Sequence, residues 1–96
     1  MDLFIFARFH ARAGEEAAVA AALCKQSVLV RDEHGCLAIA AYRAVRDARL
    51  FYIQSRWTDA AAFERHAELP NTVAFVERMQ TLIDHPFEAT RVRLLG

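Results

Sequence analysis

The stretch LFIFARFHA, residues 3–11, constrains this chain more than any other. Its β-branched and aromatic residues read as a strand. Side chains alternate across a strand, so Leu3, Ile5, Ala7, Phe9 and Ala11 point one way. Phe4, Phe6, Arg8 and His10 point the other. Both faces are apolar, so both need cover, yet a chain of 96 residues has few elements with which to supply it.

The rest of the sequence supplies cover for one face only. Gly14 breaks the strand, and Glu15 and Glu16 then suit the first turn of a helix, where carboxylates meet the positive end of the dipole. The helix is alanine-rich, carries Val19, Leu23 and Val30 on a stripe, and runs to about Val30. RDEHGC is a polar turn with Gly35 as the pivot into a second strand, residues 36–45. RDAR at 46–49 is a hairpin loop, and LFYIQSRW at 50–57 is a third strand, antiparallel to the second. Thr58 or Asp59 caps a short helix over roughly 59–67. Pro70 suits the first position of the next helix. That helix carries Val73, Val76, Met79, Leu82 and Ile83 on its apolar stripe. FEATRVRLL, 87–95, is the last strand.

The order is β-α-β-β-α-β with the second helix split at Pro70, in one domain over residues 1–96. This predicts an α+β, ferredoxin-like fold: a four-stranded antiparallel sheet with helices on one face. The other sheet face keeps Phe and Ile from the first strand, while the second and third strands add Ile39, Tyr42, Phe51, Tyr52 and Ile53. The expectation is a homodimer, sheet packed face to face against sheet about a two-fold axis. Composition agrees, because 55 % hydrophobic residues exceed what a small lone core needs.

Other classes fall away. Lys plus Arg and Asp plus Glu number 12 each, which predicts no nucleic-acid partner. No run reaches the length of a membrane span, so no membrane partner is expected, and MDLFIFARFHAR lacks the basic start of a signal peptide. Cys24 and Cys36 have no metal or redox spacing and read as reduced thiols of a cytoplasmic protein. There is no His-x-x-x-His pair or His-Cys cluster, so no metal is expected, and no glycine-rich phosphate loop. Ser27 and Ser55 sit in no nucleophile elbow.

The runs RDEHGCL, YRAVRDARLFYIQSRWTDAAAFERHAELPNTVAF and LIDHPFEATR together resemble the antibiotic biosynthesis monooxygenase family. Its pattern is a Glu-x-Gly-Cys turn, a strand, a loop with Asp, a strand ending in Trp and a helix ending in His. Here these are Glu33, Gly35, Cys36, Asp47, Trp57 and His66. The resemblance implies a dimeric ferredoxin-like protein with its pocket between helices and sheet. It implies oxygenation of a quinol or polyphenol by molecular oxygen, with no metal, flavin or haem cofactor. Related small proteins isomerise sugar phosphates or degrade haem. The first strand here has no Asn, which disfavours haem degradation, and Ser55 stands where many relatives carry Glu.

Such an oxygenation requires a base near neutral pKa, and His is the default. His66 lies on the stripe Asp59, Ala62, Phe63, His66 and is the candidate base; the alternative is a histidine packed at the core edge. Trp57 and Phe63 offer walls for a planar ring, although Trp57 equally suits core packing. Tyr52 is a candidate hydrogen-bond donor, while Tyr42 fits packing. Arg8 and His10 share a face and suit a phenolic or anionic group, or else pair with acidic groups at the sheet end or the dimer interface. Asn71 is placed either at the pocket mouth or as a cap-region residue. His34 and His85 fall in turns and are expected to be solvated. Two functions follow: a cofactor-independent monooxygenase acting on a small aromatic substrate, or a non-enzymatic dimeric small-molecule-binding protein.

Overall fold

The computed structural model describes all 96 residues. Its elements are β1 (Leu3–His10), α1 (Glu16–Arg31), β2 (Cys36–Arg43), β3 (Leu50–Trp57), α2 (Ala60–Glu68), α3 (Pro70–Leu82) and β4 (Glu88–Val92). The strands form one antiparallel sheet in the order β2-β3-β1-β4. This is the ferredoxin-like arrangement, with the second helix split at Pro70 as its sequence requires. Leu69 is extended (φ −66°, ψ 143°) and serves as both C-cap of α2 and N-cap of α3. The ring of the following proline disfavours helical backbone at that residue, so one chain position ends one helix and starts the next.

Alternation along β1 and β3 sorts the chain into two sides. Leu3, Ile5, Ala7 and Phe9 are buried beneath the helices, as are Phe51, Ile53, Ser55 and Trp57. The core forms two clusters. One surrounds Phe9 with Leu23, Ile53 and Met79; the other surrounds Trp57 with Leu3, Ile5, Val30 and Ala62. Buried polar residues occupy the steps between them: Ser55 lies between Ile53 and Trp57, and Gln26 and Ser27 lie between Leu23 and Val30. Ser27 is satisfied by donating to the Leu23 carbonyl at 2.9 Å.

Three element readings change. β2 ends at Arg43 rather than 45, because the Ala44 N–H already closes the hairpin on the Leu50 carbonyl at 2.9 Å. β4 spans Glu88–Val92 rather than 87–95, and Leu94 and Leu95 are exposed beyond it. It is an edge strand whose only partner, β1, offers Phe4 to Arg8. On α3, Val73 is 45 % exposed whereas Thr72, Met79 and Leu82 are buried. Starting the helix at Pro70 sets its phase so that Thr72, and not its apolar neighbour, turns inward.

Candidate functional site

The junction between β3 and α2 holds an aromatic cluster. The Asp59 side chain accepts a hydrogen bond from the Ala62 N–H at 2.8 Å and starts α2 directly after the strand. One turn on, Phe63 and His66 share the face that returns toward Trp57. Ring centroids are 4.8 Å apart for Trp57 and His66, 5.6 Å for Phe63 and His66, and 5.7 Å for Trp57 and Phe63. Trp57 is fully buried, and its indole N–H donates to Ser55 Oγ at 3.0 Å. Arg91 of β4 lies over the outer side of Phe63, 5.3 Å from the ring centroid.

A carboxylate completes the cluster from the other end of α1. Glu33 Oε1 lies 2.7 Å from His66 Nδ1, and both side chains are 13 % exposed. Thr72 Oγ1 lies 3.4 Å from the same nitrogen. Gly35 makes this approach possible. Its φ is +86°, and a Cβ there would sit 2.5 Å from Ala62 Cβ. The Gly35 carbonyl accepts from the Thr58 N–H at 2.9 Å, tying the turn to the start of α2. The Glu-x-Gly-Cys turn therefore abuts α2 and brings Glu33 to His66.

The arrangement has a definite chemical consequence. A carboxylate on Nδ1 holds the imidazole with its proton on that nitrogen and leaves the Nε2 lone pair available. No group of the chain bonds Nε2. Glu33 Oε2 is buried and has no partner. Cys36, beside this turn, is a poor nucleophile: burial raises its thiol pKa, and the Glu33 charge raises it further.

The other candidates lie elsewhere. Tyr52, Arg8 and His10 project from the sheet face opposite the helices, so within one chain they do not meet His66. The reason is register: Arg8 pairs with Tyr52 on even positions, while His66 packs against odd-numbered Trp57. Asn71 lines a groove of about 230 Å³ between α1 and α3, together with Gln26, Lys25, Phe75 and Arg78. Its neighbour Thr72 is the residue that turns toward His66. His85 is exposed, as expected, and its Nδ1 also meets Asp84 Oδ1 at 2.5 Å while its ring stacks on His10. His66 lines neither the cleft of about 370 Å³ beside Asp84 and His85 nor the one of about 310 Å³ on the open sheet face.

Glu33 and Thr72, the two partners of His66 Nδ1, escaped the sequence-based roles, as did the buried Gln26 away from the cluster. Glu33 is 33 residues from His66, so no local spacing joins them; the turn motif marked its position but not its partner. Gln26, buried with Nε2 unpartnered, carries no sequence signal beyond a polar residue near the Val19–Leu23–Val30 stripe.

The antibiotic biosynthesis monooxygenase profile matches residues 3–78. No curated protein matches the sequence. Among solved structures, Rv0793 from Mycobacterium tuberculosis is 22 % identical, with a TM-score of 0.92 over 100 % of this chain and 97 % of that one. PA3566 from Pseudomonas aeruginosa is 26 % identical, with a TM-score of 0.91 over 99 % and 95 %. A mutant form of SnoaB, a cofactor-independent oxygenase from Streptomyces nogalater, is 16 % identical, with a TM-score of 0.88 over 99 % and 94 %.

Proposed function

The chain belongs to the antibiotic biosynthesis monooxygenase family, and on that premise we propose that it is a cofactor-independent monooxygenase of a small quinol or polyphenol. The observation that carries this reading is the His66–Glu33 pair, mostly buried against Trp57 and Phe63. His66 Nε2 takes the phenolic proton. Glu33 holds Nδ1 and stabilises the imidazolium that forms. The resulting phenolate is electron-rich enough to react with molecular oxygen directly. A ring C–H of the quinol becomes C–OH as the ring is oxidised to the quinone: one oxygen atom enters the product, the other leaves as water, and the substrate supplies all four electrons. Trp57 and Phe63 provide flat apolar walls that keep water from the anion.

The reading includes a homodimer. Phe6, Tyr42 and Tyr52 are 47 %, 51 % and 37 % exposed on the open sheet face, around a shallow cleft of about 310 Å³. A second copy placed face to face covers them. In that assembly Tyr52 and Arg8 serve the interface, His10 stays at the sheet end with Asp47 and Asp84, and Asn71 stays on the outer groove. No helix is long and apolar enough to cross a membrane, and we assign the protein to the cytoplasm.

Oxygen uptake with a panel of quinols, on metal-free protein, tests the proposal. His66→Ala should lose about 10²–10⁴-fold in turnover, the usual worth of a positioned base. Equal turnover by wild type and His66→Ala would refute the role. The clefts of about 370 Å³ and 310 Å³ lie away from His66, which favours a second reading, a dimeric binding protein without chemistry. Tight binding of a quinol without oxygen uptake would select it.

A further inference from the structure

At the far end of β1 from Trp57, three segments of the chain converge on His10. The Asp84 N–H donates to the His10 carbonyl at 3.0 Å, fixing the connection between α3 and β4 against the strand end. His10 Nδ1 lies 2.6 Å from Asp84 Oδ2, and His85 Nδ1 approaches the other oxygen of the same carboxylate. From the hairpin loop, Asp47 Oδ2 lies 3.3 Å from His10 Nε2. The two imidazole rings stack with centroids 6.0 Å apart. One ligand atom each from His10, Asp84 and His85 lies within 4.8 Å of the others.

We propose that His10, Asp84 and His85 form a binding site for a divalent transition-metal ion, with Asp47 orienting His10 from behind. Two imidazole nitrogens and one carboxylate oxygen suit zinc and its first-row neighbours; magnesium and calcium prefer oxygen alone. Around a tetrahedral zinc with bonds of about 2.0–2.1 Å, ligand atoms stand about 3.3 Å apart. No pair need close by more than roughly 1.5 Å, the 2.6 Å His10–Asp84 contact must open by less than that, and the 54 % exposed side chain of His85 has room to move. Metal-bound histidines typically donate their other N–H to a carboxylate, which fixes the ring and raises its basicity. Asp47 already occupies that position for a His10 that ligates through Nδ1.

A cleft of about 370 Å³ opens beside the cluster, bordered by Asp84, His85, Arg12, Gln80 and Phe87. Three protein ligands leave a fourth position on zinc, and the cleft gives water or a small anion access to it. One group opposes the site. Arg49 Nη2 lies 3.4 Å from Asp84 Oδ2 and competes with a cation for that carboxylate. Its own anchor, Nε on the Ala11 carbonyl at 2.9 Å, keeps it to one side.

Equilibrium dialysis of the full chain against zinc, read by elemental analysis, tests the proposal, with histidine ring resonances followed by NMR. Wild type should take up a zinc ion that shifts the His10 and His85 rings, and magnesium should not replace it. His85→Ala, a change on an exposed loop, should weaken binding at least about ten-fold, and Asp47→Asn by about 10–100-fold. Arg49→Gln should tighten it. Comparing variants under one set of conditions subtracts zinc held by Cys24 or Cys36. Zinc uptake unchanged in His85→Ala, or ring resonances of His10 and His85 that ignore zinc, would overturn the assignment.

Discussion

Gly35→Ala should destabilise the protein through two separable effects, and the chain contains its own control. Gly35 and Gly14 have nearly the same backbone, with φ of +86° and +87°. An alanine in left-handed backbone costs about 1–2 kcal/mol at either position. Their surroundings differ. A Cβ on Gly14 meets nothing within 4 Å, whereas one on Gly35 lies 2.5 Å from Ala62 Cβ and 3.1 Å from Thr58 Oγ1. Real Cβ atoms do not approach so closely, so α2 must shift, and overpacking of this kind costs about 1–3 kcal/mol more. Gly14→Ala should therefore lose about 1–2 kcal/mol and Gly35→Ala about 2–5 kcal/mol. Urea unfolding at one protein concentration reads both. With an m-value near 1.5 kcal/mol/M, the midpoint falls by about 0.7–1.3 M for Gly14→Ala and about 1.3–3.3 M for Gly35→Ala. The effect of alanine on the unfolded chain is common to both and cancels in the comparison. An Ala62→Gly background removes the atom that the new Cβ strikes, so a double-mutant cycle should recover about 1–3 kcal/mol of coupling. Equal losses at Gly14 and Gly35, or zero coupling to Ala62, would refute the claim that the turn is pressed against α2.

Three further outcomes are expected. Phe6→Glu or Tyr52→Glu places a charge on the open sheet face and should convert a dimer to monomers in light scattering; an unchanged mass would remove the face-to-face interface. Asp84 is held below the ordinary aspartate value of 3.8, first by its hydrogen bond to His10 and then by that to His85, and Asp47 by the Arg49 N–H and then His10. Depressed carboxylates stabilise fully above the ordinary value, and the contribution is lost as pH falls through the lowered one, so Asp84→Asn should flatten the fall of Tm below about pH 4. Cys24 is exposed, while the Cys36 thiol is pushed up chiefly by burial, so a thiol reagent should modify Cys24 at least about ten-fold faster. Similar rates would contradict the burial of Cys36.

Much of the fold was legible because local rules and the global pattern agree. Pro70 told where one helix begins, Asp59 where another is capped, and the alternation of β1 separated its two faces. The ends of β2 and β4 were less legible, since pairing and not propensity stops them: apolar Val45, Leu94 and Leu95 lie where no strand remains to pair with. Within the candidate site, Trp57, Phe63 and His66 were found because one strand–helix junction carries them. Glu33 and Thr72 reach His66 from separate segments, and only folding brings them together. That Tyr52, Arg8 and His10 lie on the other sheet face from His66 was not legible for a simple reason. Spacing assigns residues to a shared face but does not say which face the helices cover.

Among the nine residues of α2, only Ala62 is buried. The helix carrying His66 is thus fastened by the Ala62 methyl, by Phe63 and His66 against Trp57, by the His66–Glu33 bond and by the Asp59 cap. Such a segment opens locally at a free energy well below that of global unfolding. Its amides should exchange with solvent faster than those of α1, whose Val19, Leu23 and Val30 are fully buried. Each opening lifts His66 and Phe63 away from Trp57 and clears the indole face. Entry to the space before His66 should then depend on how often this nine-residue helix lifts.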